Sequence, residues 1–402
     1  MNSSTSFSSL PPELVTKICS DSDLEKQDLI ALQLTGKSQG IHISASKEFA
    51  ERYFKDIKLV YTRYSLQTFV GICKHPVYGS SVRKVELSHA RFVPARFEEE
   101  SKAQFDNVTL DGRSSQGRHV YLDNIKRLVN RCDEEENLKR SNNAEDLLAA
   151  AFTALAQWHH PLELAVSSYE SCALGEGQIH SPGNLGENSR WECDVLGAVN
   201  LLHHAAIRGT CVVQTLQVQG AVWDNLIDSS SDSLSSLAHL SELGLDIWPT
   251  GDMASFQVAG LDGMVTKLLE NAVHLRTLRV ESVYTDDGPQ YLRSVFTTMS
   301  RMELEKITLT YVDLDHFKPF ENRIESLRHL EMIECETRRS LKNVLLSIQD
   351  NLPQLEYLHL SEYWGRQVIE FQGVQGISDG IDKLMQSRLK HYNNPGWDAL
   401  YD

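Results

Sequence analysis

The chain has 402 residues, with 39 Lys and Arg against 55 Asp and Glu, giving a formal net charge of −16. An acidic chain with no Lys/Arg block lacks the concentrated cationic surface that phosphate backbones require, so a nucleic-acid partner is not expected. An apolar fraction of 41% and a charged fraction of 23% are those of a globular chain that can bury a sizeable core.

The 7 cysteines, at positions 19, 73, 132, 172, 193, 211 and 335, form an odd set without a CxxC pair. That pattern fits reduced, buried thiols in a cytoplasmic or nuclear compartment better than a disulfide framework. No basic segment followed by an apolar one opens the chain, so secretion is not expected, and the sequons at Asn2 and Asn107 carry no weight. The long apolar stretches at 147–158 and 195–207 are too short to span a bilayer and read as core helices.

In chain order, residues 8–60 read as three short helices before a first strand at Ile57-x-Leu59. Pro11 and Pro12 suit a first helical turn, where a missing N–H costs nothing. Leu14, Val15 and Ile18 then form an apolar stripe. After a polar break at Ser20–Asp23, Asp28 favours a second helix start, leading into Leu29, Ile30, Ala31, Leu32 and Leu34. A third segment, Ser46–Phe54, presents Phe49, Tyr53 and Phe54. About fifty residues make a marginal core alone, so this module is expected to lean on the rest of the chain or on a partner.

Residues 57–87 read as a linker helix and the first strand of a repeat, and residues 88–142 as a polar insertion with a central helix around Tyr121–Cys132. On both sides of that insertion, and densely after residue 213, the chain carries cores of the form apolar-x-x-apolar-x-apolar. They occur at Val82-Val85-Leu87, Val213-Leu216-Val218, Leu240-Leu243-Leu245, Leu275-Leu278-Val280, Leu304-Ile307-Leu309, Leu327-Leu330-Met332 and Leu355-Leu358-Leu360, with a partial match at Leu162-Leu164-Val166. From Val213 onward the starts are spaced by 27, 35, 29, 23 and 28 residues, in and just above the leucine-rich-repeat range. Between them lie helical patterns: Val265, Leu268, Leu269, Ala272 and Val273 share one face, and Leu341, Val344, Leu345, Ile348 and Leu352 another. One unit cannot bury its own apolar face, so the expected α/β fold is a curved, leucine-rich-repeat-like solenoid of stacked strand–helix units over 143–402. The Asn or Cys of the repeat's tight turn is present only as Cys335; Ala221, Trp248, Val283, Val312 and Tyr363 stand at the other equivalent positions.

The residues LPPELVTKI (10–18), then LEKQDLIALQLTGKS (24–38), resemble the F-box, in the fungal form reading Leu-Pro-x-Glu-Leu-x-x-x-Ile and Asp-Leu-x-x-Leu-x-x-x-x-Lys. The segment 57–89 is similar to the linker of such proteins, with a helix leading to His-Pro and a Val-Arg-x-Val-x-Leu first repeat. The resemblance implies that residues 1–56 are an F-box-like module binding a Skp-type adaptor, and through it a cullin scaffold, while the repeats hold a protein substrate. Carried over residue by residue, Leu10, Pro11, Leu14, Ile18, Leu29 and Leu32 would face the adaptor or support that surface, with Lys37 matching the family's Lys. Such a receptor performs no bond chemistry; it raises the effective concentration of substrate near a charged ubiquitin-conjugating enzyme. The alternative is a helical cap on a leucine-rich-repeat-like interaction scaffold with no ligase role.

No enzyme motif competes with these readings. The pairs His159-His160 and His203-His204 point apart on a helix and lack a third ligand, so no metal is expected and helical solvation or capping explains them. Gly36-Lys37-Ser38 lacks the upstream Gly of a phosphate loop, and 175–190 is Gly-rich without GxGxxG, so no cofactor is expected either. The acidic runs at 98–100 and 133–137 read as solvated faces. Large aromatics follow several strand cores: Tyr169, Trp223, Trp248, Tyr284, Tyr311, Tyr363 and Trp364. They are candidates either for a substrate-binding rim or for a seal beneath the strands.

Overall fold

A computed structural model describes residues 11–35, 39–88, 90–92, 130, 133–135, 137–138, 140–167, 191–193, 195–222, 237, 239–249, 259–281, 291–314, 318–335, 341–362 and 368–392. The fold is mixed α/β. It divides into two units, residues 1–192 with 201–213, and residues 193–200 with 214–402.

The first unit begins with helices α1 (Pro12–Cys19), α2 (Lys26–Thr35) and α3 (Gln39–Tyr53). Both α1 and α2 pack on α3, around a small core of Val15, Cys19, Ile41 and Ala45 with Leu32 against it. Helix α2 starts two residues before Asp28. The Asp28 side chain sits in its first turn and accepts a hydrogen bond from the Glu25 N–H at 2.9 Å, the return half of a capping box. Helix α3 starts seven residues before the expected Ser46, because Ile41, Ala45 and Phe49 already repeat every four residues and are all buried. Arg52 on α3 fixes the α1–α2 connection: its guanidinium donates to the carbonyls of Asp21 (2.7 Å) and Leu24 (2.9 Å) and to Glu48 (2.6 Å).

These helices fall within a compact unit that continues past residue 56. Strand β1 (Asp56–Val60), α4 (Arg63–Lys74), α5 (Tyr78–Ser81), β2 (Lys84–Ser88), the short β3 (Ala90–Phe92), α6 (Asn143–Ala156) and β4 (Leu162–Ser167) follow in the same unit. Helix α3 rests on α5, where Phe54 stacks on Tyr78 at 4.6 Å between centroids and Tyr78 stacks on His75 at 4.0 Å. Thr62 caps α4 by accepting the Ser65 N–H. One face of α4 buries Leu66, Phe69, Ile72 and Cys73, and Phe69 meets Phe152 of α6 edge-on at 6.1 Å. Of the expected helix around Tyr121–Cys132 only Asn130 is described, in helical conformation, and the loop at 175–190 lies outside the described residues.

After β5 (Trp191–Cys193) and α7 (Val195–Arg208) comes the second unit's main series. It comprises β6 (Val213–Val222), β7 (Glu242–Pro249), α8 (Ala259–Asn271), β8 (Thr277–Glu281), α9 (Tyr291–Met299), β9 (Lys306–Thr310), β10 (His329–Cys335), α10 (Leu341–Asn351), β11 (Tyr357–Glu362), β12 (Val368–Gln372) and α11 (Val374–Tyr392).

Each expected core lies on or leads into a strand, and the pairing aligns them. In the first unit β1, β2 and β4 are parallel, with Ile57, Val85 and Leu164 in one row and Leu59, Leu87 and Val166 in the next. In the second unit β6 to β11 are parallel. Leu216, Leu243, Leu278, Ile307, Leu330 and Leu358 form one row, and Val218, Leu245, Val280, Leu309, Met332 and Leu360 the other. All are buried. At roughly 1.5–3 kcal/mol per buried aliphatic side chain, these rows are the main hydrophobic contribution of each sheet. The step into each strand also repeats, since one carbonyl accepts two N–H groups from the next strand's start. Lys55 does so for Arg83 and Lys84, Ser241 for Arg276 and Thr277, Arg276 for Glu305 and Lys306, Glu305 for Arg328 and His329, and Arg328 for Glu356 and Tyr357.

The second unit's strand series ends with β12, which runs antiparallel to β11. Gly373, at φ +76°, makes the turn into α11, and at Gly380 any β-carbon would collide with the Phe371 ring, so α11 lies close over β12.

Two details depart from expectation. Val273 falls beyond the end of α8 and is exposed, whereas Val265, Leu268, Leu269 and Ala272 are buried. His203 is not solvated but buried among Leu202, Ala205 and Ala206; burial, and then the charge of His204, push its imidazole down to about 4, so it is neutral at pH 7.

Candidate functional site

The helical module leaves apolar side chains uncovered. On α1, Leu14 and Ile18 stand one turn apart and are 48% and 36% exposed; on α2, Ile30 and Leu34 do the same at 36% and 80%. Ile43 on α3 is 47% exposed. Five large aliphatic side chains in water on so small a module are a feature of interaction surfaces. Pro11, at the N-cap of α1, is also exposed.

The residues expected to face a partner therefore separate into different roles. Leu14, Ile18 and Pro11 are accessible. Leu29 is fully buried and Leu32 half-buried against the module's core, so both hold the helices together. Leu10 and Lys37 lie outside the described residues. Ile30 and Leu34 were not singled out as partner-facing from the sequence, where they sit in an apolar-rich stretch broken only by Gln33. Their signal is the four-residue spacing from one to the other, one residue, or about 100° around the helix, away from buried Leu29.

The aromatic rim is not assembled by the described residues. Tyr169, Trp223, Tyr284, Tyr363 and Trp364 lie outside them, and for Trp248 only its backbone place near the end of β7 is described. Tyr311 directly follows β9 in a left-handed conformation (φ 58°), with its N–H donating to the Ile333 carbonyl.

A second surface is built by the other side of the second unit's sheet. Side chains alternate along a strand, so the residues between the buried ones face away from the core. The pairing registers place them in three rows across the strands. The first is Thr215, Glu242, Thr277, Lys306, His329, Tyr357 and Gln372; the second is Gln217, Gly244, Arg279, Thr308, Glu331, His359 and Glu370; the third is Gln219, Asp246, Glu281, Thr310, Ile333 and Ser361.

The first two rows neutralise each other. Arg279 pairs with Glu242 at 3.3 Å, Lys306 with Glu331 at 2.7 Å, and His359 lies 3.2 Å from Glu370. Burial opposes the charge on Glu331, but hydrogen bonds from Lys306 and Thr308 with the charges of Lys306 and His359 outweigh it, so its carboxyl is held below the ordinary range. The third row is different. Asp246 and Glu281 are register partners on adjacent strands, and neither is ion-paired among the described residues. Burial first, and then the neighbouring Glu281, push the Asp246 carboxyl up to about 6, against a hydrogen bond from Gln219.

The thiols are structural. Cys19, Cys73, Cys211 and Cys335 are free, and burial pushes Cys211 and Cys335 up to about 12. Cys335 takes the role foreseen for the repeat's turn residue, its Sγ donating to the Leu309 carbonyl of the preceding strand at 3.4 Å. No group of three or more His, Cys, Asp or Glu residues that could hold a metal ion occurs among the described residues, and no described helix is long and apolar enough to cross a membrane. Compared with known proteins, the chain matches no family model, and no curated protein matches its sequence.

Proposed function

We propose that this chain is the non-catalytic substrate-holding subunit of a Skp-cullin-F-box type ubiquitin ligase: an F-box-like helical module followed by a leucine-rich-repeat-like solenoid. The observation that carries the reading is the pair of uncovered aliphatic ridges, Leu14 with Ile18 and Ile30 with Leu34, in the segment whose sequence resembles the F-box. A helical module that only capped a sheet would turn its apolar side chains inward. The function is tethering: the module holds the adaptor, and the open sheet face holds the substrate.

Co-expression of the full chain with a Skp-type adaptor, followed by gel filtration, tests this. The wild type is expected to co-elute with the adaptor, and Leu14→Asp combined with Leu34→Asp to elute alone while keeping its thermal midpoint. Failure of the wild type to co-elute, or co-elution untouched by the double substitution, would sink the reading.

A second reading, an interaction scaffold with no ligase role, has one observation in its favour: α3 is already seated on α5 through Phe49, Phe54 and Tyr78. It is distinguished by retention of every binding partner after Leu14→Asp with Leu34→Asp.

A further inference from the structure

The open face of the second unit's strands carries an ordered pattern that tethering alone does not require. In its first two rows the cations are already engaged, Arg279 with Glu242 and Lys306 with Glu331. In the third row the charged residues are Asp246 and Glu281, side by side in register. Two strands beyond Glu281 the same row presents Ile333, a half-buried aliphatic side chain between the polar Thr310 and Ser361. Gly244, one row below Asp246, leaves room beside the carboxylates: a β-carbon there would only touch Gln217 at 3.6 Å.

We propose that this third row docks an extended segment of the protein substrate bearing a Lys or Arg and, four residues away, an aliphatic side chain, the cation over Asp246 and Glu281 and the aliphatic group on Ile333.

The spacing follows from strand geometry. Neighbouring strands lie about 4.8 Å apart, so the midpoint of the carboxylate pair is about 12 Å from Ile333. Side chains four residues apart on one face of an extended peptide are separated by about 13 Å. A partner cation would relieve the repulsion between two adjacent carboxylates, which is where charge complementarity gives both attraction and choice of partner. The inference rests on reading the sheet face as the substrate-holding surface.

The test is a fluorescence anisotropy titration of the full-length protein with a labelled Ser-Lys-Ser-Thr-Ser-Leu-Ser peptide. One control peptide has Glu in place of Lys, and the other has Leu moved two residues closer. The wild type is expected to bind the first peptide at least about tenfold more tightly than either control. Asp246→Asn with Glu281→Gln should abolish the preference for Lys over Glu, and Ile333→Ser should abolish only the preference for spacing. Both replace half-exposed side chains, and an unchanged circular dichroism melt establishes that they fold. Equal binding of all three peptides, absence of saturable binding by the wild type, or a Lys preference surviving Asp246→Asn with Glu281→Gln would each overturn the proposal. Because no adaptor is needed, peptide binding in a chain that fails to co-elute with the adaptor would leave this proposal standing and remove only the ligase reading.

Discussion

The strands of the two units repeat one inward apolar pattern and differ in their outward faces. In the first unit the outward residues close on themselves: Lys58 pairs with Glu86 at 2.9 Å, Lys84 with Glu163 at 2.5 Å, and the Ser167 hydroxyl donates to Glu86. Val60, Ser88, Ala165 and Ser167, at the strands' far ends, are buried. In the second unit the corresponding face is half-buried to exposed across β6 to β11, and its third row holds two adjacent carboxylates that pair with no cation among the described residues. The same strand pattern thus serves two ends. Where outward charges are paired and covered, they support the fold; where they are open and unbalanced, they are available to a partner.

The largest effects should be equal in the two units. Leu87→Ala and Leu278→Ala each empty a fully buried position in an aligned apolar row, and each is expected to cost about 2–5 kcal/mol in urea unfolding. A large loss in one and none in the other would break the claim of a common inward pattern.

The next effect should be unequal. Glu86→Gln leaves Lys58 without its carboxylate in a mostly buried pair and is expected to destabilise by about 1–2 kcal/mol. Glu281→Gln removes a like charge from beside Asp246 and should cost nothing or stabilise slightly. Equal losses would erase the contrast between the two faces.

A smaller effect is readable with pH. The Asp246 carboxyl stands above its ordinary value in the folded chain, so the native state holds the proton more tightly. Its contribution to stability is present in acid and is lost as pH rises from about 4 to about 6. Its outward neighbours are Gln219 on β6 and Glu281 on β8, with Gln217 and Arg279 one row below on the same two strands. Partial exposure limits the effect to about 1 kcal/mol. Asp246→Asn should remove that part of the pH dependence, measured by urea unfolding at pH 4, 5, 6 and 7; an unchanged profile would place the carboxylate in solvent.

The smallest effect belongs to the helical module. Leu34→Asp should leave unfolding within about 0.5 kcal/mol of wild type, because the side chain is uncovered. Leu29→Ala, five residues away and fully buried, should cost about 2–5 kcal/mol. Similar losses would mean that the α2 ridge is part of the core.

Much of the interior was legible in the sequence because a strand's burial has a local signature. Leu240-Leu243-Leu245 and its counterparts mark the step into the strand and its two inward positions, and all are buried. The outward rows were not legible. Asp246 and Glu281 become neighbours only through the register of strands whose cores start 35 residues apart, and spacing along the chain does not encode that register. The helical module failed to resolve for another reason. In Leu29-Ile30-Ala31-Leu32 every position is apolar, so the inward face is set by where α3 lies and not by the pattern. His203 shows the same limit: a histidine beside a histidine reads as polar, yet the helix phase it shares with Val199 and Ala206 buries it.

The most direct test of the proposed tethering role is hydrogen–deuterium exchange on the full chain with and without a Skp-type adaptor. The expected result is slowed exchange over residues 12–35, in α1 and α2, with no change over β7 to β10. No protection anywhere, or protection over the second unit's strands with α1 and α2 unchanged, would contradict it.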